Sequence, residues 1–386
     1  MKTKLIAVLF LSACTLAPAT VQAATYELWV AGRLSSAPNG SGGIARFSAN
    51  DGSFLGYFMH TNNGTGLVVT PGLGTISRVV TQNGRIYVGY TAATSYNKVF
   101  RYDRTGANPN SDFIAGAGGS WRFGSYYYPV KGLIFKADHI FLMAGVSTNN
   151  TPDMLAGTYL FRHALDGSSA GTQPNTSLGY SRGAQFSGPT NIAPINGGTD
   201  LVQDSAGNFL ALLGTNIYRF AADGSNYGPS GLGDTNAWIT SSALSPLTII
   251  TALAIDGAGR IYVAGDQNGV TTSYLLRFNA NGTPAGTNGT DAVFAKWITY
   301  LKGVVRPVSI AIGPVDGYLY VGNGYYGSPR FENMINRFYT SGSNAGKLVE
   351  EGGFANLGGA TAPLYLPSYN ILFVKTSSNG TVITVK

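Results

Sequence analysis

One phrase recurs six times along this chain and constrains its fold more than any other feature. The second half of the phrase contains an arginine, a ring residue and a glycine-bearing turn, as in IARFSANDG, VFRYDRTG, LFRHALDG, IYRFAADG, LLRFNANG and INRFYTSG. The six arginines are spaced 55, 61, 57, 58 and 60 residues apart, and they are Arg46, Arg101, Arg162, Arg219, Arg277 and Arg337. A repeat of this length that is filled with short β-type runs predicts a β-propeller or a similar array.

The clearest repeat, residues 249–282, predicts one blade of four strands. TALAIDGAG predicts a first strand (A) and a turn, RIYVAG a second strand (B), and YLLRFN a third (C). The period of two within these runs is typical of strands, and Asn281-Gly282 supplies the positive φ of a tight hairpin turn. A looser outer strand (D) follows. The sequence therefore predicts an all-β propeller of four-stranded antiparallel blades.

The number of blades follows from the number of B-type runs. There are seven, namely ELWVAG, RIYVGY, IFLMAG, FLALLG, RIYVAG, YLYVGN and ILFVKT. They predict seven blades, of which the first lacks strand A and the last lacks strand D. Closure of Thr361–Lys386 onto the N-terminal blade would remove the exposed sheet edges. Six blades plus a closing segment is the alternative.

Two of these repeats carry a family resemblance. TALAIDGAGRIYVAG and TDLVQDSAGNFLALLG resemble blades of the NHL and SMP-30-like β-propellers, and the resemblance covers nearly the whole mature chain. It implies a disc of blades around a central channel, with strand A innermost. SMP-30-type hydrolases hold a divalent metal in this channel through carboxylate and amide ligands. These ligands cannot be mapped onto this sequence residue by residue, so the resemblance implies architecture and no particular activity.

The N-terminal segment predicts export. Lys2 and Lys4 precede the apolar run LIAVLFLSACTLA, and a small-residue sequence ends at Ala23. This order is typical of a secretory signal peptide, residues 1–23, followed by a single propeller domain, residues 24–386. The expected location is the periplasm or the extracellular medium. Leu11–Cys14 also fits a lipobox, so a lipoprotein anchored in the membrane through Cys14 is the alternative.

Composition excludes several classes of protein. Only 11% of residues are charged, and loss of Lys2 and Lys4 would lower the formal charge from +7 to +5. Without a dense basic stripe, we do not expect nucleic-acid binding. No membrane span, cofactor or metal is predicted, and Cys14 is the only cysteine, so disulfides do not contribute to the mature fold.

The long loops indicate where a ligand would bind. In a propeller the B–C and D–A loops share one rim, and in this chain these loops are rich in aromatic residues and glycine. Tyr and Trp side chains offer a large contact area at small entropic cost. The alternative is that these rings only cover the ends of strands. The predicted ligand-binding residues are Trp121, Arg122, Tyr126, Tyr127, Tyr128, Tyr96, Tyr325, Tyr326 and Arg330.

Other chemistry-bearing residues have structural explanations. The six repeated arginines are interpreted as bridges between blades, with an anion-binding ring as the alternative. No two of the three histidines share a metal-ligand spacing, and they are His60, His139 and His163. Three aspartates lie in A–B turns and are interpreted as turn residues, namely Asp204, Asp256 and Asp316. No catalytic residue is predicted.

Three functions are consistent with this sequence. The first is an exported binding or interaction module that recognises a glycan, a peptide or a protein of the cell envelope. The second is a metal-dependent, lactonase-like hydrolase or a lyase with its site in the central channel. The third is a structural surface protein. An enzyme would bring at least three carboxylate, amide or imidazole groups to the channel, whereas a binding module would show an aromatic, mostly uncharged groove.

Overall fold

The structure is a computed structural model, and the part of the chain that it describes is nearly all β. No helix among the described residues is long and apolar enough to cross a membrane. The described residues are 25–33, 42–60, 66–69, 75–91, 98–103, 105, 110–115, 130–146, 157–167, 200–225, 227–234, 236–267, 272–298, 307–323, 334–356, 370–376 and 382–383.

These residues form 26 strands and one short 3-10 helix at Gly342–Asn344. The strands of the first half are β1 (Thr25–Arg33), β2 (Gly42–Ser48), β3 (Phe54–His60), β4 (Gly66–Val69), β5 (Thr75–Gln82), β6 (Arg85–Thr91), β7 (Lys98–Asp103), β8 (Asn110–Ala115), β9 (Gly132–Phe135), β10 (His139–Val146) and β11 (Gly157–Ala164). Those of the second half are β12 (Leu201–Gln203), β13 (Phe209–Leu213), β14 (Asn216–Phe220), β15 (Tyr227–Gly228), β16 (Gly231–Leu232), β17 (Ile249–Ile255), β18 (Ile261–Asp266), β19 (Thr272–Phe278), β20 (Val293–Ile298), β21 (Pro307–Ile312), β22 (Leu319–Asn323), β23 (Met334–Phe338), β24 (Ala355–Asn356), β25 (Asn370–Thr376) and β26 (Val382–Ile383).

The strands form successive sheets in chain order, as expected for a propeller. Sheet 1 has the strand order β26-β25-β1-β2-β3-β4, and sheets 2, 5 and 6 are the four-stranded meanders β5–β8, β17–β20 and β21–β24. Sheets 3 and 4 have three described strands each, β9–β11 and β12–β14, and β15 and β16 form a separate hairpin. Pairing within these meanders is antiparallel, whereas β3 and β4 run parallel. The predicted four-stranded antiparallel unit is therefore confirmed.

The first strand of each sheet contacts the first strands of the sheets on either side. These six strands, which we call the inner strands, are β25, β5, β9, β12, β17 and β21. Each contacts the next in this order, and β21 in turn contacts β25. ILFVKT was expected to be the B strand of a seventh blade. It forms β25, which pairs over seven residues with β1 in sheet 1 and contacts β5 and β21.

The core lies between neighbouring sheets. Each sheet packs its faces against the sheets beside it, which buries both sides of its middle strands, as in β18, where every residue is buried. Clusters of buried apolar residues span neighbouring sheets. Members of the same cluster include Trp29 and Val88 (sheets 1 and 2), Val99, Leu142 and Phe209 (sheets 2, 3 and 4), Leu212 and Val263 (sheets 4 and 5), Leu275 and Val321 (sheets 5 and 6), and Leu28 and Tyr320 (sheets 1 and 6). Sheet 1 thus packs against both sheet 2 and sheet 6.

The predicted glycine turns connect the third and outer strands and also contact the preceding sheet. Gly52 and Gly167 have φ values of +73° and +89°, which side-chain-bearing residues rarely adopt. A Cβ at Gly52 would overlap the carbonyl oxygen of Phe354, and a Cβ at Gly167 that of Phe113. These turns therefore need glycine for two reasons, their own conformation and the close approach of the neighbouring backbone.

Candidate functional site

Corresponding positions near the start of the inner strands carry several polar side chains inside the described fold. Strand pairing identifies these positions, because each residue lies opposite the equivalent residue of the second strand in its own sheet. The six residues at this position are Asn370, Arg78, Gly132, Asp200, Ala252 and Ser309.

Three of these side chains join inner strands of different sheets. The Asn370 Oδ1 atom accepts a hydrogen bond of 2.9 Å from the backbone N–H of Val79, joining sheets 1 and 2. The Asp200 Oδ2 atom accepts one of 3.0 Å from the N–H of Leu253, joining sheets 4 and 5. Arg78 donates to Asp200 Oδ1 at 2.8 Å. Buried polar groups at this level are thus used to hold the inner strands together.

Arg78 reaches past sheet 3 to contact sheet 4, and Gly132 of sheet 3 also lies close to Leu201 of sheet 4. Arg78 lies on β5, but its guanidinium bonds Asp200 and the carbonyl oxygen of Leu201, at 2.8 and 3.1 Å, both in sheet 4. A Cβ at Gly132 would overlap the side chain of Leu201. The Arg78 and Asp200 side chains are only 17% and 12% exposed, so this ion pair is largely desolvated.

Lys131 adds a second positive charge beside this ion pair. It immediately precedes β9, and its backbone N–H donates to the carbonyl of Met143. Burial lowers the pKa of the Lys131 ammonium; the attraction of Asp200 opposes this effect and the repulsion of Arg78 adds to it. The side chain keeps partial access to solvent. We call Arg78, Lys131 and Asp200 the inner-strand cluster.

The inner-strand cluster has one more positive charge than negative charge. The carboxylate of Asp200 already accepts three hydrogen bonds, from Arg78 and from the N–H groups of Leu201 and Leu253. Its oxygens are therefore committed to the fold. Lys131 has no carboxylate of its own among the described residues, and this arrangement can attract an anionic group from solution.

The residues predicted to bind a ligand on the loop rim, from Tyr96 to Arg330, all lie outside the described residues. The ends of the described strands nevertheless show where their loops begin. Second strands run antiparallel to inner strands, so they end at the level of the inner-strand cluster. The segment containing Trp121 and Tyr128 leads directly into Lys131, and that containing Tyr96 follows β6. The loop with Tyr325, Tyr326 and Arg330 follows β22 in the same way.

The repeated arginines lie on the third strands and are engaged within the fold. Arg46 makes a bidentate ion pair with Glu27, with N–O distances of 2.8 and 2.7 Å. The guanidinium carbon of Arg337 lies 4.1 Å from the ring centre of Phe354, and its nitrogens bond Glu350. Arg277 donates to the carbonyl of Thr340 in sheet 6 at 3.1 Å. These contacts favour the structural interpretation over the anion-binding ring.

The turn aspartates have the predicted structural role. Asp204 accepts bonds of 2.8 Å from the N–H of Asn208 and from Arg219. Burial opposes ionisation of Asp204, but these hydrogen bonds outweigh it and lower its pKa. Asp256 and Asp316 likewise accept backbone N–H groups of their turns, at 2.9 and 3.0 Å.

The described residues contain no group of three His, Cys, Asp or Glu side chains that could hold a metal. His139 begins β10, where its Nδ1 atom lies 2.8 Å from Asp138, and His163 is buried in β11. His60 was expected in a loop but ends β3. The inner-strand cluster offers one carboxylate, already fully hydrogen-bonded, and two cations. It therefore does not fit the channel metal of the lactonase-like alternative.

Sequence reasoning missed the inner-strand cluster, although a signal for it is present. When the A-type runs are aligned on the B strands that follow them, TISRVV and TDLVQD carry charged residues at one position, where other repeats have Gly, Ala or Ser. Lys131 precedes the same position in VKGLIF. A departure from the repeat at one register was thus visible, but the spatial proximity of the three residues was not.

No protein-family model matches this chain, and no curated protein matches it. Among solved structures, it is similar to a Bacteroides caccae protein of unknown function (10% identity, TM-score 0.47, covering 90% of this chain and 98% of that one). It is also similar to a Bacteroides fragilis protein provisionally named a 6-phosphogluconolactonase (14%, 0.46, 93% and 100%). A third is a GH43_1 enzyme from Xanthomonas citri (9%, 0.38, 83% and 92%). With TM-scores below 0.5, these similarities by themselves establish neither a family nor an activity.

Proposed function

We propose that this chain is an exported β-propeller binding module that holds an anionic ligand, foremost an acidic glycan, at the inner-strand cluster. The observation that carries this proposal is the positive charge of Lys131 beside Arg78, because among the described residues the only carboxylate acting on it, that of Asp200, is already paired with Arg78. A buried cation without a dedicated partner lowers stability, so its retention is explained by a ligand that supplies the missing negative charge.

We further propose that the module has six blades, with the C-terminal strand closing the first. Three observations support this count over seven. The contacts of the six inner strands return to their starting point, since β21 contacts β25. β25 pairs with β1 as the inner strand of sheet 1, and Gly52 of sheet 1 lies against Phe354 of sheet 6. Pairing of the chain ends in one sheet removes exposed edges there.

The position of the cluster suits recognition by loops. Inner strands begin at the level where the second strands end, so the predicted B–C loops would start, and the predicted D–A loops would finish, at the level of Lys131. Electrostatic attraction is stronger in a partly desolvated site than on an open surface. The predicted aromatic residues of these loops, Trp121 and Tyr128 among them, would stack against sugar rings while Lys131 binds a carboxylate. A peptide or an envelope protein would have to present an acidic group to the same cluster.

The test is a glycan array probed with the protein expressed as residues 24–386. We expect glycans with uronic or other acidic sugars to bind and their neutral counterparts to bind weakly. Lys131→Gln should weaken binding of the acidic glycans roughly tenfold or more, since a charge-assisted hydrogen bond contributes about 1.5–3 kcal/mol. Lys375→Gln, which removes one positive charge from β25 far along the strand from the cluster, is the matched control.

Two results would contradict the proposal. One is binding of neutral glycans alone, and the other is equal affinity for acidic glycans in Lys131→Gln and the wild type. A thermal melt of each variant separates loss of binding from loss of folding. If acidic peptides bound and acidic glycans did not, the proposed site would be retained but its ligand would be a peptide.

A second candidate function is lactone hydrolysis by the inner-strand cluster without a metal. It is favoured by one observation: burial lowers the pKa of Lys131, which favours the neutral amine that a general base needs. The test is an assay of gluconolactone hydrolysis, in which the reaction is monitored through the protons that it releases. Activity that survives a chelator and is lost in Lys131→Gln would favour this function over binding alone.

A further inference from the structure

A second candidate binding site lies between sheets 5 and 6, away from the inner strands. It is an open groove of about 950 Å³. One wall is formed by β20 and the loop before it, including Asn288 and Asp291, and the other by the turn at residues 342–347. Tyr274 and Arg277 of β19 also line it. Its volume lies within the range of sites that enclose a small ligand.

The two walls of this groove are joined by specific contacts, so the groove is a fixed part of the fold. Arg277 donates to the carbonyl of Thr340 in sheet 6 at 3.1 Å, and its guanidinium carbon lies 4.6 Å from the ring centre of Phe294. A Cβ at Gly346 would overlap the carbonyl oxygen of Phe294. The turn of sheet 6 is therefore packed directly on the outer strand of sheet 5.

Three cations line the groove, and none of them forms an ion pair with a described residue. Arg277 bonds backbone carbonyls, Lys347 donates to the neutral Asn344 side chain at 3.2 Å, and Lys296 is exposed opposite Tyr274. The one acid, Asp291, is held by the side chain of Asn288 at 2.9 Å and by a backbone N–H at 2.8 Å. The lining thus has a net formal charge of about +2, counting Arg and Lys as cations.

The remaining lining favours a sugar over a peptide. The hydroxyl groups of Thr287 and Ser343 line the groove and can exchange hydrogen bonds with sugar hydroxyls, whereas the amide of Asn288 is used within its own loop. Tyr274 provides a partly exposed aromatic ring. The Phe294 ring is covered by Arg277, so the groove lacks a deep apolar pocket for a peptide side chain among its described residues.

We propose that this groove binds a short anionic oligosaccharide, whose carboxylate or sulfate groups contact Lys296 and Lys347. Arg277 lines the same groove but is committed to holding its walls. The site is separate from the inner-strand cluster, because its strand residues all lie on β19 and β20, the third and outer strands of sheet 5, and the rest of its lining lies in loops and the short 3-10 helix. The proposal therefore does not depend on the function proposed above.

The experiment is calorimetric titration of the chain carrying Lys131→Gln, so that the inner-strand cluster does not contribute. The probes are trigalacturonate, sulfated maltotriose, neutral maltotriose and tetraglutamate. We expect at least one of the two anionic sugars to bind, maltotriose not to bind, and affinity to fall with added salt. The anionic sugar that binds more tightly identifies the charged group as carboxylate or sulfate.

Variants then locate the site. Adding Lys296→Gln and Lys347→Gln together should lower affinity at least tenfold, whereas Lys296→Arg, which keeps the charge, should retain most of it. Lys375→Gln is the control for a change in overall charge. Both groove lysines are exposed, so folding should be unaffected, as a thermal melt will verify. The proposal is overturned if the double variant binds as the parent does, if neither anionic sugar binds, or if tetraglutamate binds as tightly as the sugars.

Discussion

At the scale of single residues, the described fold uses charge in two different ways. Three third-strand arginines, Arg46, Arg219 and Arg337, have dedicated carboxylates, and the hydrogen bond to Glu27 raises the pKa of Arg46 despite its burial. Lys131 has no such partner among the described residues, and burial lowers its pKa. The first arrangement supports the fold, whereas the second lowers its stability, which is why we propose a ligand there.

Replacing Lys131 with methionine should therefore stabilise the protein. We expect Lys131→Met to raise the free energy of unfolding at neutral pH by roughly 1 kcal/mol, because it removes an unmatched charge and keeps the side chain's length. The unfolded chain keeps Lys131 protonated up to about pH 10.4, while the folded state releases that proton at a lower pH. Wild-type stability thus rises with pH in this window, and the advantage of the variant should shrink.

Chemical denaturation of both proteins across the alkaline range is the measurement. Lys131→Arg, which retains a positive charge, is the control and should show no gain in stability. A gap between Lys131→Met and the wild type that stays constant or widens as pH rises would show that the lysine is not destabilised by burial.

At the scale of strands and turns, two glycines differ in how closely the rest of the protein packs around them. Gly132 starts the inner strand of sheet 3, where any Cβ would overlap the side chain of Leu201. Gly257 lies in the turn after β17, and a Cβ there would meet nothing within 4 Å. Both residues have ordinary backbone conformations, as neither has a positive φ. They form a matched pair.

Gly132→Ala should destabilise the protein by about 1–3 kcal/mol, as is typical when a methyl group is forced into a packed region. Gly257→Ala should be neutral or stabilising by up to about 1 kcal/mol, because it only restricts the unfolded chain. Urea denaturation of both variants measures the difference. Equal effects of the two substitutions would mean that the inner strands can separate enough to accept a side chain.

At the scale of the whole molecule, the chain ends meet in one sheet. Thr25 lies opposite Thr376 in the register of β1 and β25, and their hydroxyl oxygens are 3.0 Å apart. Ile371 and Val374 of β25 are buried between sheets. Folding of sheet 1 therefore requires residues separated by nearly the full length of the chain, which couples the first and last repeats.

Truncation tests this coupling. A chain that ends at residue 369 lacks β25, so we expect it to lose the cooperative thermal transition, since the strand supplies a full pairing edge and part of the core. A chain that ends at Thr376 keeps β25 and should retain the transition with a modest loss in melting temperature. Circular dichroism on heating distinguishes them. Cooperative melting of the shorter chain near the wild-type temperature would contradict the proposed closure.

The sequence by itself determined the local structure of this protein. Period-two apolar runs, glycine at turns such as Asp51-Gly52, and arginine on each third strand predicted strands, hairpins and the four-stranded unit, because these depend on neighbours a few residues apart. The roles of Asp204 and Asp256 as turn residues were predictable for the same reason. The aromatic rim, from Trp121 to Arg330, stays a prediction, since it lies outside the described residues.

Only the tertiary structure decided which repeat completes the first sheet and where charges meet. ILFVKT has the pattern of any B strand, and its place beside β1 depends on contacts across the whole chain. Arg78 and Asp200 are 122 residues apart in sequence, yet they form an ion pair of 2.8 Å. Lys296 and Lys347 likewise line the same groove, although they are distant in sequence. Short-range patterns encode strands and turns, whereas sites depend on how the sheets are arranged in space.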